Sequence, residues 1–556
     1  MAAVNAMKGS AAFLALLRDE GVTHMFGNPG TTELPVMDAL GRQSALPYVL
    51  GLQESVVIGM ADGFGRASGR LTACNVHVAP GLGNAMGAIY NAQWTGTPMI
   101  ITAGQHEQGH GLTEPVLYDE LVPIARPLVK WAVEITRLAD MPRIIRRAAK
   151  VALTPPTGPV FLSLPGDVLN DEGGVELGAA TRIDTAARPA DAAIESLAAR
   201  LIAAKNPAIV AGPEIVSSDA LAEAARLAEV LGAAAYQQTI AWGAHFLSEH
   251  PAYMGALSRE QSAIRRTLEP YDLLIFLGAD VLRTSVASPV EPMPPGAAIV
   301  QIGLNDWEMG KNYPAAVALH ADVRETLRAL VPALEREGGA ALADAATRRL
   351  AALAEVNWSA RRAKSRLQAE AASGATPIAP DWFTLSVVDA LPADAIVVNE
   401  GLTTAQRLLS FLPYRDRWGF HGNASGGIGW GLPAAVGVQL AHPGRPVVCL
   451  SGDGSALYSI QALWTAAHLA LPVTFVIANN KGYRILKQRL RAFHGSDAYV
   501  GMDFAAPEID FAGLATSFGV AAERIADPAA LRPALEAAFA RPGPTLLDVI
   551  VDGTVG

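Results

Sequence analysis

Short apolar runs recur along the whole chain, separated by stretches long enough for a helix. Clear examples are GPVFLSLPGDV (158–168), PAIVAG (207–212), YDLLIFLG (271–278), AAIVQIG (297–303), AIVVNE (395–400), RPVVCLSGDG (445–454), LPVTFVIANN (471–480) and TLLDVIV (545–551). The runs are continuously apolar rather than alternating. That pattern predicts strands buried on both faces, hence parallel sheets with crossover helices. The fold class expected is α/β, with three doubly wound parallel-sheet domains. Their expected bounds are 1–180, 190–335 and 376–556. An Ala- and Arg-rich stretch with leucines at helical spacing, 336–375, predicts a linking helix. The N-terminal MAAVNAMKGSAAFLALLRDEGV predicts an amphipathic first helix rather than a signal peptide. The longest apolar run, 462–478, contains His468 and Pro472, and so predicts a helix and then a strand, not a membrane span.

A chain of 556 residues is too long for a single core, in keeping with several domains. A net charge of −10 argues against nucleic-acid and anionic-membrane partners. Cys74 and Cys449 both lie in strand-like runs, where small buried hydrophobes are expected, and so few cysteines fit a cytoplasmic enzyme.

The chemistry concentrates in SGDGSALYSIQALWTAAHLALPVTFVIANNKGY, residues 451–483. The turn Gly452-Asp453-Gly454-Ser455 follows a strand, and the pair Asn479-Asn480 ends the next one. A carboxylate at Asp453 and an amide oxygen at Asn480 are hard oxygen ligands of the kind Mg²⁺ prefers. Glycines beside Asp453 let backbone N–H groups approach phosphate oxygens. The pattern predicts a diphosphate held through a metal ion. Far upstream, three further loops follow predicted parallel strands: FGNPGTTELP (26–35), GLQESVVIGMADGFGRASG (51–69) and NVHVAPGLGNAMGAIYNA (75–92). They converge at one sheet edge, where open α/β sheets bind ligands. They present Glu54 at a strand-to-helix junction and His77 before a Gly-rich turn.

Taken together, these motifs resemble the thiamine diphosphate enzymes of the 2-oxoacid decarboxylase and acetolactate synthase superfamily, and among them most closely the benzoylformate decarboxylases. The resemblance covers essentially the whole chain, in the order pyrimidine-binding, middle and diphosphate-binding domain. It rests on the Gly-Asp-Gly to Asn-Asn run, FGNPG…ELP, LQE, GNAMGA, TAGQ (102–105), RPLVKW (126–131) and ALWTAA (462–467). It implies a Mg²⁺ ion, with Ca²⁺ able to take its place, held by Asp453, Asn480 and the Gly482 carbonyl. It implies cofactor contacts from Asn84, Gly401, Thr403, Gly427, Ile428, Gly452, Asp453, Gly454, Ser455, Asn480, Gly482 and Tyr483. Ile428, in GNASGGIGWG, matches the large apolar residue that forces the two cofactor rings together. Glu54 matches the carboxylate that hydrogen-bonds the aminopyrimidine and favours its imino form. His77 matches a substrate-side histidine, and Thr31 stands where a serine is usual.

The match breaks at a second histidine, where Ser285 stands instead. A hydroxyl cannot shuttle protons at neutral pH as imidazole can. His110, in the Gly-rich loop GQHEQGHG, is the replacement put forward, with His106 and His421 as alternatives. The implied activity is non-oxidative decarboxylation of a small 2-oxoacid to an aldehyde and CO₂, with possible carboligation. Alternatives are an acetolactate synthase-type carboligase or C–C lyase, a flavoenzyme of the pyruvate oxidase kind, and a catalytically silent subunit. Because the two cofactor halves are distant in sequence, the resemblance implies a homodimer as the minimal unit and a homotetramer as the usual form.

Overall fold

The structure, a computed structural model, describes residues 5–43 and 46–555. The chain divides into two compact units. One holds residues up to 183, 374–406 and those from 423 onward; the other holds 184–373 and 407–422.

The first unit contains two parallel sheets. In the N-terminal sheet, Thr72–Val76 lies between Met25–Gly27 and Met99–Gln105. Pro159–Pro165 follows, with Ala132–Glu134 at one edge and Tyr48–Leu50 at the other. In the C-terminal sheet, Val447–Gly452 lies between Ile396–Glu400 and Val473–Asn479, followed by Thr545–Ile550 and then Ala521–Ile525. Edge strand aside, the order is the same in both sheets. The apolar runs became these strands because every residue of Thr72–Val76, Met99–Gln105, Pro159–Pro165 and Val473–Asn479 is buried, as parallel strands covered by helices require.

One hydrophobic core joins the sheets. At its centre, helix Glu54–Ser68 crosses helix Gly431–Ala441. The approach is close because glycines stand at the contacts. A Cβ at Gly59 would press on the Pro433 ring, one at Gly63 would overlap the Ala434 backbone, and one at Gly437 would overlap the Met60 carbonyl. Beside the crossing, Asp62 is fully buried. It accepts hydrogen bonds from the Trp430 indole at 2.5 Å and from Thr95 and Thr97, and Arg66 stacks on Trp430. Buried Val56, Val57, Ile58 and Met60 line the same helix, each contributing about 1.5–3 kcal/mol relative to exposure. The free thiols Cys74 and Cys449 are buried in this unit's strands.

The second unit is built on the parallel strands Pro207–Ala211, Ala234–Gln237, Tyr253–Ala256, Leu273–Leu277, Ala298–Gly303 and Val317–His320. The first strand is central: the next two lie to one side and the last three to the other. Between Pro207–Ala211 and Leu273–Leu277 the order reverses, the place where such sheets leave a ligand crevice. Past the ends of Leu273–Leu277 and Ala298–Gly303 lies Glu214. Its carboxylate accepts the N–H groups of Leu304 at 2.6 Å and Asn305 at 3.2 Å, and it lies where any Cβ at Gly303 would fall. Burial pushes this carboxyl up to about 7. Residues 336–375 form the later part of a helix spanning Val323–Ala354, broken at Gly339 with φ 49°, and then helix Trp358–Ala371. Leu342 and Trp358 are part of this unit's core. The run 462–478 splits into helix Ala462–His468 and strand Val473–Asn479, and no helix among the described residues is long and apolar enough to cross a membrane.

Candidate active site

Glu54 opens its helix because Gln53 caps it. The Gln53 side chain accepts the N–H groups of Ser55 at 2.7 Å and Val56 at 3.3 Å. Gly69, at φ 67°, ends the helix in the left-handed conformation that glycine favours. The Glu54 carboxylate is buried and receives one amide donor on each oxygen: Asn28 at 3.3 Å and Asn84 at 3.1 Å. A Cβ at Gly81 would press against it at 3.0 Å, and Gly81 donates its N–H to the His77 carbonyl. Glu54 and His77 are therefore joined through one helical turn.

His77 follows strand Thr72–Val76, and the next residue, Val78, adopts φ 39°. That left-handed turn is rare for a β-branched residue. It redirects the chain into helix Val78–Thr95 just after the imidazole. The ring then meets the 26–35 loop. His77 Nδ1 lies 2.8 Å from Glu33 Oε2 and 3.3 Å from Thr32 Oγ1. Glu33 is itself buried and accepts the N–H groups of Gly30 at 2.8 Å and Gly104 at 2.7 Å. Any Cβ at Gly30 would overlap the His77 ring. Thr31 is exposed, so the hydroxyl that reaches His77 belongs to Thr32. His110 stands apart from this cluster. It is exposed, and its Nδ1 lies 3.2 Å from Thr113 Oγ1 of its own loop, with the His106 ring 5.7 Å away.

The second cluster forms at adjacent strand ends, where Glu400 pairs with Ser451 and Gly452 with Ala478. The Asp453 carboxylate accepts the N–H groups of Gly454 at 2.8 Å and Gly482 at 3.0 Å, which draws the Asn479–Tyr483 loop onto it. Burial raises this carboxyl to about 6 against those donors. The two asparagines of the pair differ. Asn479 is tied down: its amide donates to Asp548 at 2.8 Å and its oxygen accepts the Lys481 N–H at 3.2 Å. Asn480 Oδ1 is buried and accepts no hydrogen bond among the described residues. The Gly482 carbonyl accepts the Arg484 N–H at 3.0 Å, which leaves it one lone pair. Gly454 must be glycine here, since a Cβ would sit 2.6 Å from the Tyr483 ring, while Gly452 faces open space and Ser455 is buried. Gly401 and Thr403 lie in the turn that follows Glu400, with the Gly401 N–H on Asn399 Oδ1 at 3.3 Å.

A further loop carries Ile428, which is half-buried. The Gly427 carbonyl accepts the amides of Asn91 at 2.9 Å and Asn423 at 2.6 Å. Among the described residues, no hydrogen bond joins the Glu54 group directly to the Asp453 group. The basic side chains beyond the Asn479–Tyr483 loop are engaged locally. Arg484 and Arg491 hold the carbonyls of Thr554 and Val555, and Lys487 pairs with Asp503. Ser285 and His421 belong to the second unit. The Ser285 N–H donates to the Arg259 carbonyl at 3.0 Å, and His421 is buried and bridges to Gly243.

Residues 7–116, 194–330 and 402–549 match the models of the thiamine pyrophosphate enzyme N-terminal TPP-binding, central and C-terminal TPP-binding domains. The chain belongs to the thiamine pyrophosphate enzyme family. It is 37% identical over 546 residues to a benzoylformate decarboxylase from Pseudomonas aeruginosa, covering 97% of this chain and 98% of that protein. It is 31% identical over 561 residues to a putative acetolactate synthase large subunit from Mycobacterium tuberculosis, covering 99% and 100%. The thiamine diphosphate-dependent 4-hydroxybenzoylformate decarboxylase of Rhodococcus jostii RHA1 superposes with a TM-score of 0.86 at 32% identity, covering 98% of this chain and 99% of that one. Glu33, Asn28 and Asn91 all lie inside the quoted loops, but the sequence assigns none of them a role. An acidic residue within a Gly/Pro-rich apolar loop was the available signal for Glu33. Asn28 and Asn91 carry none, because their partners are distant in the chain.

Proposed function

We propose that the protein is a thiamine diphosphate- and Mg²⁺-dependent non-oxidative decarboxylase of a 2-oxoacid, releasing an aldehyde and CO₂. Ca²⁺ is able to serve in place of Mg²⁺, and aldehyde carboligation is a side activity. The observation that carries the reading is the buried Glu54 carboxylate, held between two amide donors one helical turn from His77. Asp453, Asn480 Oδ1 and the Gly482 carbonyl would hold the metal. The fit is supported by Asn480, whose buried oxygen has no hydrogen-bond partner among the described residues and matches a hard cation. When bound, thiamine diphosphate supplies the reactive carbon and the electron sink.

The chain's own residues do the rest. Asn28 and Asn84 fix both oxygens of Glu54, so that the carboxylate presents one orientation to the aminopyrimidine. Ile428, on its Gly-rich turn, would offer the cofactor an apolar contact. Glu33 takes the proton-bearing Nδ1 of His77, which leaves Nε2 to exchange a proton with substrate and product. Thr32, rather than Thr31, offers the hydroxyl beside His77 on the substrate side, and the halves contributed by Glu54 and Asp453 meet in a homodimer that pairs into a tetramer.

A panel of 2-oxoacids, aromatic and aliphatic, tests the proposal through CO₂ release and product identification. Decarboxylation of at least one acid, lost on chelation of the metal, is the expected result. No CO₂ from any acid in cofactor-loaded protein would refute it. The acetolactate synthase likeness supports a second reading, in which a second carbonyl traps the bound fragment; 2-hydroxyketone without free aldehyde would favour that. Glu33→Gln should lower kcat about tenfold with KM little changed, since the imidazole loses its anionic orienter but keeps its place. Steady-state kinetics on the preferred acid check this, and an unchanged kcat removes Glu33 from the mechanism.

A further inference from the structure

The mechanism above leaves one buried carboxylate unused. Glu400 ends strand Ile396–Glu400 and is 2% exposed. No lysine, arginine or histidine pairs with it among the described residues. Instead it accepts the Trp430 N–H at 2.9 Å, the Gly431 N–H at 2.6 Å and the Asn423 amide at 3.1 Å. A buried carboxylate without a cation is costly unless hydrogen bonds satisfy it. Every partner here is a donor, so the pocket is built for the charged form, although burial pushes the carboxyl up to about 7.

The donors belong to the turn that carries Ile428. Two glycines of that turn, Gly426 at φ 84° and Gly429 at φ 93°, have left-handed backbone, so the segment has little stiffness of its own. It is held from outside at both ends. Before Ile428, the Gly427 carbonyl takes the amides of Asn91 and Asn423, and Asn423 Oδ1 takes the Gly426 N–H at 3.0 Å. After Ile428, Glu400 takes consecutive backbone N–H groups. Asn423 touches both supports. Helix Gly431–Ala441 has no side-chain cap from its own N-cap residue, Trp430, and the carboxylate that faces its first N–H comes from another strand. A helix cap alone would not need the link through Asn423 to the far side of Ile428.

We propose that Glu400 is a positioning residue that sets the height of Ile428, with Asn91 as its counterpart on the Gly427 side, and so sets how closely the two rings of the bound cofactor are pressed together. This rests on the proposed thiamine diphosphate site. The readout is hydrogen–deuterium exchange at the reactive carbon of thiamine diphosphate bound to protein, measured beside kcat, KM and cofactor affinity. In Glu400→Gln, exchange and kcat should both fall at least about tenfold, with KM and cofactor affinity within about threefold and a folded circular dichroism spectrum. Glu400→Asp should recover part of the loss. Folded, loaded E400Q with exchange and kcat equal to wild type overturns the inference, as does a loss that follows cofactor affinity alone. If E400Q does not fold, Asn91→Ala removes the opposite support without disturbing a buried charge. Slower exchange in N91A then supports the inference, and unchanged exchange overturns it. Wild-type protein separates the two levels. Accelerated exchange without decarboxylation of any 2-oxoacid refutes only the substrate reading, whereas failure to bind thiamine diphosphate refutes both.

Discussion

Glu54→Gln is expected to lower kcat by about a thousandfold while metal-dependent binding of thiamine diphosphate stays within about threefold, within the range found for loss of a positioned acid–base group. The substitution is nearly isosteric. Its amide nitrogen, however, meets Asn28 or Asn84, both of which now donate to the carboxylate. One oxygen keeps its donor and the other position faces a second N–H₂, so the side chain loses both its charge and its fixed orientation. Among the described residues, the Asp453 cluster shares no hydrogen bond with Glu54 and is left intact. Isothermal titration of cofactor alongside steady-state kinetics separates the effects. A variant that turns over normally would remove Glu54 from its assigned role, and one that loses cofactor binding would make it a binding residue instead.

Gly437→Val should destabilise the first unit by about 3 kcal/mol or more, the upper end for overpacking, because the obstacle is backbone rather than a side chain that could turn aside. A Cβ there overlaps the Met60 carbonyl inside a helix, and Gly63, whose own Cβ would overlap the Ala434 backbone, blocks relief in the other direction. The melting temperature should drop by about 5 °C or more. Activity should fall with it, since helix Glu54–Ser68 starts at Glu54 and helix Gly431–Ala441 starts just beyond the Ile428 turn. Gly444→Ala is the control: nothing lies within 4 Å of a Cβ at Gly444, so stability should stay within about 0.5 kcal/mol. Differential scanning calorimetry on the two variants decides between close packing and general intolerance of substitution.

The sequence carried what is local. Continuous apolar runs marked the buried strands, because a strand covered on both faces cannot hide its composition. The Gly-Asp-Gly turn and the Asn pair were legible because they stand directly after two neighbouring strands at short, local spacing. What sequence could not show are the residues whose partners lie far along the chain. Asn91 reaches Gly427, and Glu400 reaches Trp430 and Gly431. Nothing near either residue announces the other. Thr31 and Thr32 illustrate a finer limit. The loop enters a single tight turn, Thr31–Glu33, and a rotation of one residue decides which hydroxyl meets His77. The burial of Glu33 was equally hidden, since an acidic residue in a loop ordinarily faces water.

The shared strand order of the two sheets has a meaning for ancestry. In each half, one helix leads into the strand that pairs with the first: Glu54–Ser68 into Thr72–Val76, and Gly431–Ala441 into Val447–Gly452. The residue delivered just past the end of that strand is His77 in one half and Asp453 in the other. Duplication of a single ancestral half would leave this correspondence, with an imidazole and a carboxylate as the diverged occupants of one inherited position.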